Sequence, residues 1–319
     1  MEDLFEKDWK FEHQRPAYAE TLIELGKKHP NLVVMDADLS SSTKTAEFGK
    51  VFPERFFNVG VAEQNMMTVA AGLATTGKIV VVSTFAVFAT GRPYDQIRQS
   101  IAYPNLNVKI VASHGGITVG EDGASHQMLE DLALMTTLPN MKVAVPADAP
   151  QTKSVVRAMV EDVEGPAYTR MCRAKVPTVT DGTFEFGKGT VMKDGSDVAI
   201  ISCGIMVAIS LKAAKILKEE GIDVAVINMA SIKPIDKELI ISYAKSTNGI
   251  VTAEEHTIYN GLGSRVAEVL VENYPTMMRR VGIEDKFGES GPAWELVRKY
   301  GLTPQKIASK VKEIMEVKT

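Results

Sequence analysis

The sequence predicts two consecutive α/β domains with mainly parallel sheets. Three observations carry this expectation. Runs of β-branched residues such as "KIVVVSTF" read as strands buried on both faces. Segments with apolar residues at helical spacing alternate with them, as in a parallel sheet with crossover helices. The alternation stops at a Gly-, Thr- and Asp-rich stretch, Ala174 to Asp197, and then starts again. With 319 residues, 45% of them hydrophobic, the chain is long enough for two cores.

Taken in order, Pro16 opens a helix with Tyr18, Leu22 and Leu25 at helical spacing. "LVVMDADL" follows as a strand. The extended run from Phe56 breaks at Gly60, and "AEQNMMTVAAGLATTG" restarts as a helix stopped by Gly77. "KIVVVSTF" is a strand, "RPYDQIRQSIAY" a helix, and "NVKIVASHG" and "MKVAVPAD" are strands. Asp148 is placed to cap the helix "DAPQTKSVVRAMVEDV", and "PAYTRMCR" is one more strand. Residues 174–197 lack a helical period and read as a linker. Beyond them come the strands "VAIISCG", "DVAVINMASI", "GIVTAEEH" and "MRRVGIED", separated by three helices. Two further helices, "GPAWELVRKYG" and "TPQKIASKVKEIM", end the sequence.

Several classes are disfavoured. The net charge of −4 gives no footprint for nucleic acid or a membrane surface. Cys172 and Cys203 lie far apart, so neither a disulfide framework nor a zinc site is expected, and a reducing cytoplasm fits. "MEDLFEKDWK" has no apolar core of a signal peptide, and the apolar runs are too short to span a bilayer. "GLGSRV" lacks the third glycine of a dinucleotide fingerprint, and nucleophile-elbow and Walker A motifs are absent.

Ligands of open α/β sheets gather at the carboxyl ends of strands. There the sequence places Asp36, Asp38 and Ser42, then Glu63, then Phe85, Phe88 and Arg92. His114 opens the glycine-rich loop "HGGITVGEDGASHQ" with Glu121, Asp122 and His126, and Arg170 and Arg173 end the last strand before the linker. Each has a bland reading. The aspartates could cap helices, the phenylalanines could be core, and Glu63 could complement a helix dipole. His114 and His126 stand twelve residues apart, which is not a metal-ligand spacing on one helix. The clustering is stronger than any member.

"GVAEQNM", "STFAVFATGRPYDQIR", "SHGGITVGEDGASHQ" and "GPAYTRMCR" occur in that order. Together they resemble the second half of transketolase, a thiamine-diphosphate enzyme, over nearly the whole chain. "GEDGASHQ" with the upstream histidine is the most specific element. The resemblance implies a pyrimidine-binding domain at 1–173, a linker at 174–197 and a transketolase C-terminal domain at 198–319. It further implies the C-terminal subunit of a split, two-gene transketolase, which moves a two-carbon ketol unit from a ketose phosphate to an aldose phosphate.

The resemblance also implies roles. Glu63 matches the acid that bonds the cofactor's aminopyrimidine ring nitrogen, and Phe85 and Phe88 match aromatics packed against that ring. A carboxylate there favours the tautomer that can take the thiazolium proton. Asp38 matches an aspartate beside the cofactor. His114, Asp122 and His126 match groups of the substrate channel, where the two histidines, at near-neutral pKa, would act catalytically by shuttling hydroxyl protons, and Arg15, Ser42 and Arg173 match groups that hold the sugar phosphate. Where some long transketolases have a tyrosine, this chain has Gly91, with Arg92 and Tyr94 nearby. The GDG motif that binds magnesium and diphosphate is absent from the sequence. The implied partner is therefore an N-terminal subunit carrying that motif and the Mg2+, in an α2β2 heterotetramer. Rivals are the β subunit of a thiamine-dependent 2-oxoacid dehydrogenase, half of a deoxyxylulose-phosphate-synthase relative, and a non-catalytic α/β module.

Overall fold

A computed structural model describes residues 1–317. β1 (Phe11–Glu12) leads into α1 (Gln14–Lys28). β2 (Leu32–Asp36) is followed by two short helices, α2 (Ser40–Thr43) and α3 (Thr45–Val51). β3 (Phe56–Asn58) precedes α4 (Glu63–Thr75). β4 (Ile79–Ser83) precedes α5 (Ala86–Thr90) and α6 (Tyr94–Gln96), which runs on as a π-helical stretch, Ile97–Ala102. β5 (Val108–Ala112), a 3-10 stretch (Ile117–Asp122) and α7 (Asp131–Thr137) come next. β6 (Lys142–Ala144), α8 (Ala149–Glu161) and β7 (Ala167–Arg170) complete the first alternation.

Strands β2 to β7 form one parallel sheet in the order β6-β7-β5-β4-β2-β3. Side-chain alternation sorts β2 between two apolar layers. Val33 and Met35 face the layer containing Met66 and Ala70 of α4. Leu32 and Val34 face Tyr18 and Leu22 of α1 and Val156 of α8. Each fully buried aliphatic side chain of this kind stabilises by about 1.5–3 kcal/mol, which is why the run is apolar without interruption.

The short helices α2, α3, α5 and α7 are not evident in the sequence. None has a side-chain N-cap bond, and all are too short to display a period. Tertiary bonds hold the α2–α3 corner instead. Thr43 and Thr45 donate their hydroxyls to the buried Asp36 carboxylate at 2.7 and 2.8 Å. Asp148 does cap α8, accepting from the Gln151 amide at 3.1 Å, and it also accepts the amides of Val179 and Thr180.

The expected linker, 174–197, carries two strands. β8 (Val176–Pro177) pairs antiparallel with β1, and β9 (Thr190–Lys193) forms an antiparallel sheet edge. The second alternation runs β10 (Val198–Ser202), α9 (Met206–Glu219), β11 (Val224–Asn228), β12 (Ser231–Lys233), α10 (Lys237–Ser246) and β13 (Ile250–Thr257). It ends with α11 (Leu262–Asn273), β14 (Met278–Ile283), α12 (Ala293–Lys299) and α13 (Pro304–Glu316). The second sheet has the order β14-β13-β10-β11-β9.

"DVAVINMASI", expected as one strand, is two. The Met229 amide still bonds Ser202 of the second sheet, while Ala230 accepts from Val145 of the first. β12 then pairs antiparallel with β6. Apolar patterning reports burial and not which sheet a strand joins, so the handover is invisible in the sequence. It brings Ile232 into one apolar cluster with Val145, Ile201 and Ile227, which joins the two sheets. No helix among the described residues is long and apolar enough to cross a membrane.

Candidate active site

The chain adds β3 on one side of β2 and β4 on the other. A crevice forms at the carboxyl ends of strands where the order reverses in this way. Asp38, Glu63, Phe85, His114 and Arg173 all follow strands at that end.

Glu63 is the first residue of α4 and is 5% exposed. The loop before it is tied by Asn58, whose Oδ1 accepts the Asp38 and Gly60 amides at 3.0 Å each. Gly60 has φ of +75°, a turn conformation that glycine adopts without strain. Arg92 donates from Nη1 to Glu63 Oε1 at 2.8 Å, and its guanidinium carbon stands 4.2 Å from the Phe88 ring centre. Phe88 and Phe85 stack with centroids 6.0 Å apart and planes 13° from parallel. Glu63 and Arg92 line a cavity of about 380 Å³ together with Val61, Ala62, Gln64 and Asn65. Arg92 thus stands where the sequence left the wall near Gly91 open. Tyr94 pairs with Thr137 instead, at 3.2 Å.

The two histidines meet the same aromatic pair. His114 stacks on Phe85 at 3.6 Å between centroids, and His126 packs edge-on against Phe88 at 5.4 Å. His114 has φ of +60° and its Nδ1 is 2.9 Å from Ser113 Oγ. Burial, then the charges of Arg15, Arg173 and His126, push its pKa down to about 3. It is a neutral imidazole at ordinary pH, not the group titrating near neutrality expected from the sequence, because burial disfavours its charged form.

Arg15, Ser42 and Arg173 form a second cluster. Arg15 donates to the backbone oxygens of Ser42 at 2.8 Å and Arg173 at 3.2 Å. Arg173 donates to Val119 O and to Glu121 Oε2, at 3.1 and 2.6 Å. The Arg15 Nε is buried without a partner. Burial and the Arg173 charge push the Arg15 pKa down. Arg15, Arg173, His13 and Arg298 face a cavity of about 620 Å³ that Glu121 and Glu295 also line; Arg173 is paired with Glu121 and Arg298 with Asp3. It is the Ser42 carbonyl, not its hydroxyl, that bonds Arg15. Asp38 and Asp122 are exposed. Asp38 bonds Asn58, and neither aspartate bonds directly to either cluster. Another cavity, of about 640 Å³, runs along β14 and contains none of these residues.

The sequence reading passes over Arg92 as a partner of Glu63, and over a buried polar group between the sheets. In that group Arg170 donates to Asp131 at 2.8 Å, and Glu255 accepts the Thr118 amide at 2.7 Å. Glu254 accepts the amides of Leu262 and Gly263 at the start of α11. That carboxylate occupies the helix terminus of "GLGSRV". Two acids in succession in an apolar strand, "TAEEHT", are the signal that could have drawn attention to this group.

Comparisons with known proteins identify the domains that carry these residues. The family model "Transketolase, pyrimidine binding domain" matches residues 13–178, and "Transketolase, C-terminal domain" matches residues 187–307. A "putative transketolase C-terminal section" of Methanocaldococcus jannaschii is 54% identical over 96% of this chain and 97% of its own length. The 6-deoxy-6-sulfo-D-fructose transketolase subunit SqwH of Clostridium sp. (strain MSTE9) is 39% identical over 100% of this chain and 99% of its own. A solved structure described as "split gene transketolase, inactive beta4 tetramer" superposes with a TM-score of 0.90, at 54% identity, over 96% of this chain and 99% of that one. The chain belongs to the transketolase family and carries its pyrimidine-binding and C-terminal domains.

Proposed function

We propose that this chain is the C-terminal-type subunit of a two-chain transketolase, transferring a two-carbon ketol unit between sugar phosphates. Residues 1–173 would serve as the pyrimidine-binding domain and 198–319 as the C-terminal domain, joined by 174–197. The observation that carries the reading is Glu63, a buried carboxylate joined through Arg92 to a stacked aromatic pair.

These residues fit the aminopyrimidine half of thiamine diphosphate. Glu63 Oε1 is taken by Arg92, while Oε2 has no protein partner among the described residues. Phe85 and Phe88 offer a flat apolar wall. When bound, thiamine diphosphate would supply the carbon nucleophile. Glu63 Oε2 would hold a proton at the pyrimidine nitrogen, with Arg92 fixing the carboxylate's orientation. The phenylalanines would keep water from that side. His114, neutral, would hydrogen-bond sugar hydroxyls through Nε2, and His126 would flank the same path, with Asp122 at the rim. Arg15 and Arg173 suit a phosphate, because a planar guanidinium presents paired donors, and Ser42 orients Arg15. Asp38 would lie beside the cofactor at the subunit boundary.

The sequence has no GDG motif, so Mg2+ and the diphosphate would belong to an N-terminal-type partner in an α2β2 assembly. A 54% identical chain described as an inactive β4 tetramer supports a need for such a partner. The test is to combine this chain with a GDG-bearing subunit, thiamine diphosphate and Mg2+, and to screen donor and acceptor pairs by product mass. The reading predicts an acceptor longer by two carbons and a donor shorter by two. Absence of transfer from every ketose phosphate tried, in an assembly that binds the cofactor, would contradict it.

A further inference from the structure

The C-terminal domain meets the proposed sugar-binding loop at Glu289 and Ser290, which bond Gln127 and Glu121, and at one buried carboxylate of its sheet, Glu255. Glu255 sits near the carboxyl end of β13 and is 4% exposed. Its Oε1 accepts the Thr118 amide at 2.7 Å, and its Oε2 is 3.8 Å from Cys172 Sγ. Its backbone oxygen accepts Arg170 Nη2 at 2.5 Å, and Arg170 is itself fixed by Asp131. The carboxyl group lies against Gly116, where a Cβ would come within 2.2 Å of the Glu255 carboxyl carbon. Gly116 also has φ of +82°, so no other residue fits that turn without strain.

The rest of the loop is tied through amides and carbonyls alike: Gly115 and Gly116 donate their N–H groups to the Met171 and Met128 oxygens at 3.2 and 2.9 Å. Gln127 donates to the oxygens of Ile117 and Gly120, and Arg173 donates to that of Val119. The Thr118 amide has Glu255 as its partner, in the other sheet. Burying a carboxylate costs several kcal/mol unless strong bonds offset it. An apolar contact would join the sheets without that cost. What the carboxylate adds is a charge-assisted, directional bond to one backbone N–H, four residues after His114.

We propose that Glu255 is a positioning residue for sugar binding: it fixes Thr118, and through it the 115–127 turn whose ends carry His114 and His126. This rests on the functional reading above. The Phe85–Phe88 wall and Glu63 lie outside that turn and touch it only through the rings of His114 and His126, so cofactor binding depends on the turn less than sugar binding does.

The test uses the assembled enzyme with Glu255→Ala, Glu255→Gln and Glu255→Asp. Loss of a hydrogen bond to a charged group should speed amide exchange across 115–127 by about tenfold or more in Glu255→Ala, with a comparable fall in kcat/KM for sugar phosphates. The dissociation constant for thiamine diphosphate should rise by much less than kcat/KM falls. Glu255→Gln keeps a carbonyl oxygen for Thr118 and should recover most of both losses. Glu255→Asp keeps the charge but withdraws it by one methylene, so it should resemble Glu255→Ala; it decides the matter if the alanine variant does not fold. Wild-type loop exchange in Glu255→Ala or Glu255→Asp would overturn the proposal, as would cofactor affinity falling in step with kcat/KM. A wild-type assembly without ketol transfer would instead overturn the functional reading, since exchange is measured without turnover.

Discussion

Glu63→Gln changes a charge and almost no volume, so its structural and chemical consequences can be separated by size. Glu63 pairs with an Arg92 side chain that is 51% exposed, and such a pair is worth at most about 1 kcal/mol. Its charge on the first turn of α4 contributes about 0.3–1 kcal/mol more through the helix dipole. The variant should therefore lose no more than about 2 kcal/mol of stability and melt a few degrees lower. A positioned acid–base group contributes about 10²–10⁴-fold to rate, equivalent to about 3–5 kcal/mol of barrier. If Glu63 works on the cofactor, initial rates of the assembled enzyme fall by that factor while the melt barely moves. Rates within threefold of wild type, beside the small stability loss, would reduce Glu63 to a helix-dipole residue.

Arg173→Ala and His126→Ala should raise the KM for phosphorylated sugars more than they weaken cofactor binding. Equal harm by Arg173→Ala to an unphosphorylated sugar in steady-state kinetics would remove Arg173 from the phosphate site. His114, held near a pKa of 3 against an ordinary 6.5, stays neutral when folded and charges when unfolded. Its stabilising contribution is complete above pH 6.5 and is lost as pH falls toward 3, by up to about 5 kcal/mol. Glu254, pushed up to about 7 by burial, acts oppositely and loses stability as pH rises from 4.5 to 7. Comparing denaturant midpoints of wild type and His114→Asn across pH 4–7 isolates the histidine, and asparagine tolerates the positive φ. The variant should lose less stability on acidification; parallel curves would show that His114 is not held neutral.

The sheet strands are legible because each is an uninterrupted apolar run bounded by turn residues, as in Leu32 to Met35. The α2–α3 corner is not, because bonds from Thr43 and Thr45 to Asp36 form it rather than local preference. The handover from β11 to β12 is not, because one apolar pattern serves both sheets. In the site, Glu63, Phe85, Phe88, His114 and His126 stand out by following strands and by the family's motifs; the fold packs the histidines on the two phenylalanines and links Glu63 to them through Arg92. Arg92 meets Glu63 only because α5 and α6 bend the chain back over α4, a tertiary event with no local signature. Glu255 is farther still, 137 positions from Thr118 in sequence. Its role depends on the packing of one domain against the other.

The central claim is that this chain holds one half of a cofactor site. Titration calorimetry with thiamine diphosphate and Mg2+ tests it directly, on the chain alone and on the chain mixed with a GDG-bearing subunit. On the proposed reading the lone chain offers the pyrimidine an acid and an aromatic wall but has no sequence motif for the diphosphate and its metal, so it should bind weakly and without regard to magnesium. The mixture should bind tightly and only with magnesium. Tight, magnesium-dependent binding by the lone chain would contradict the account.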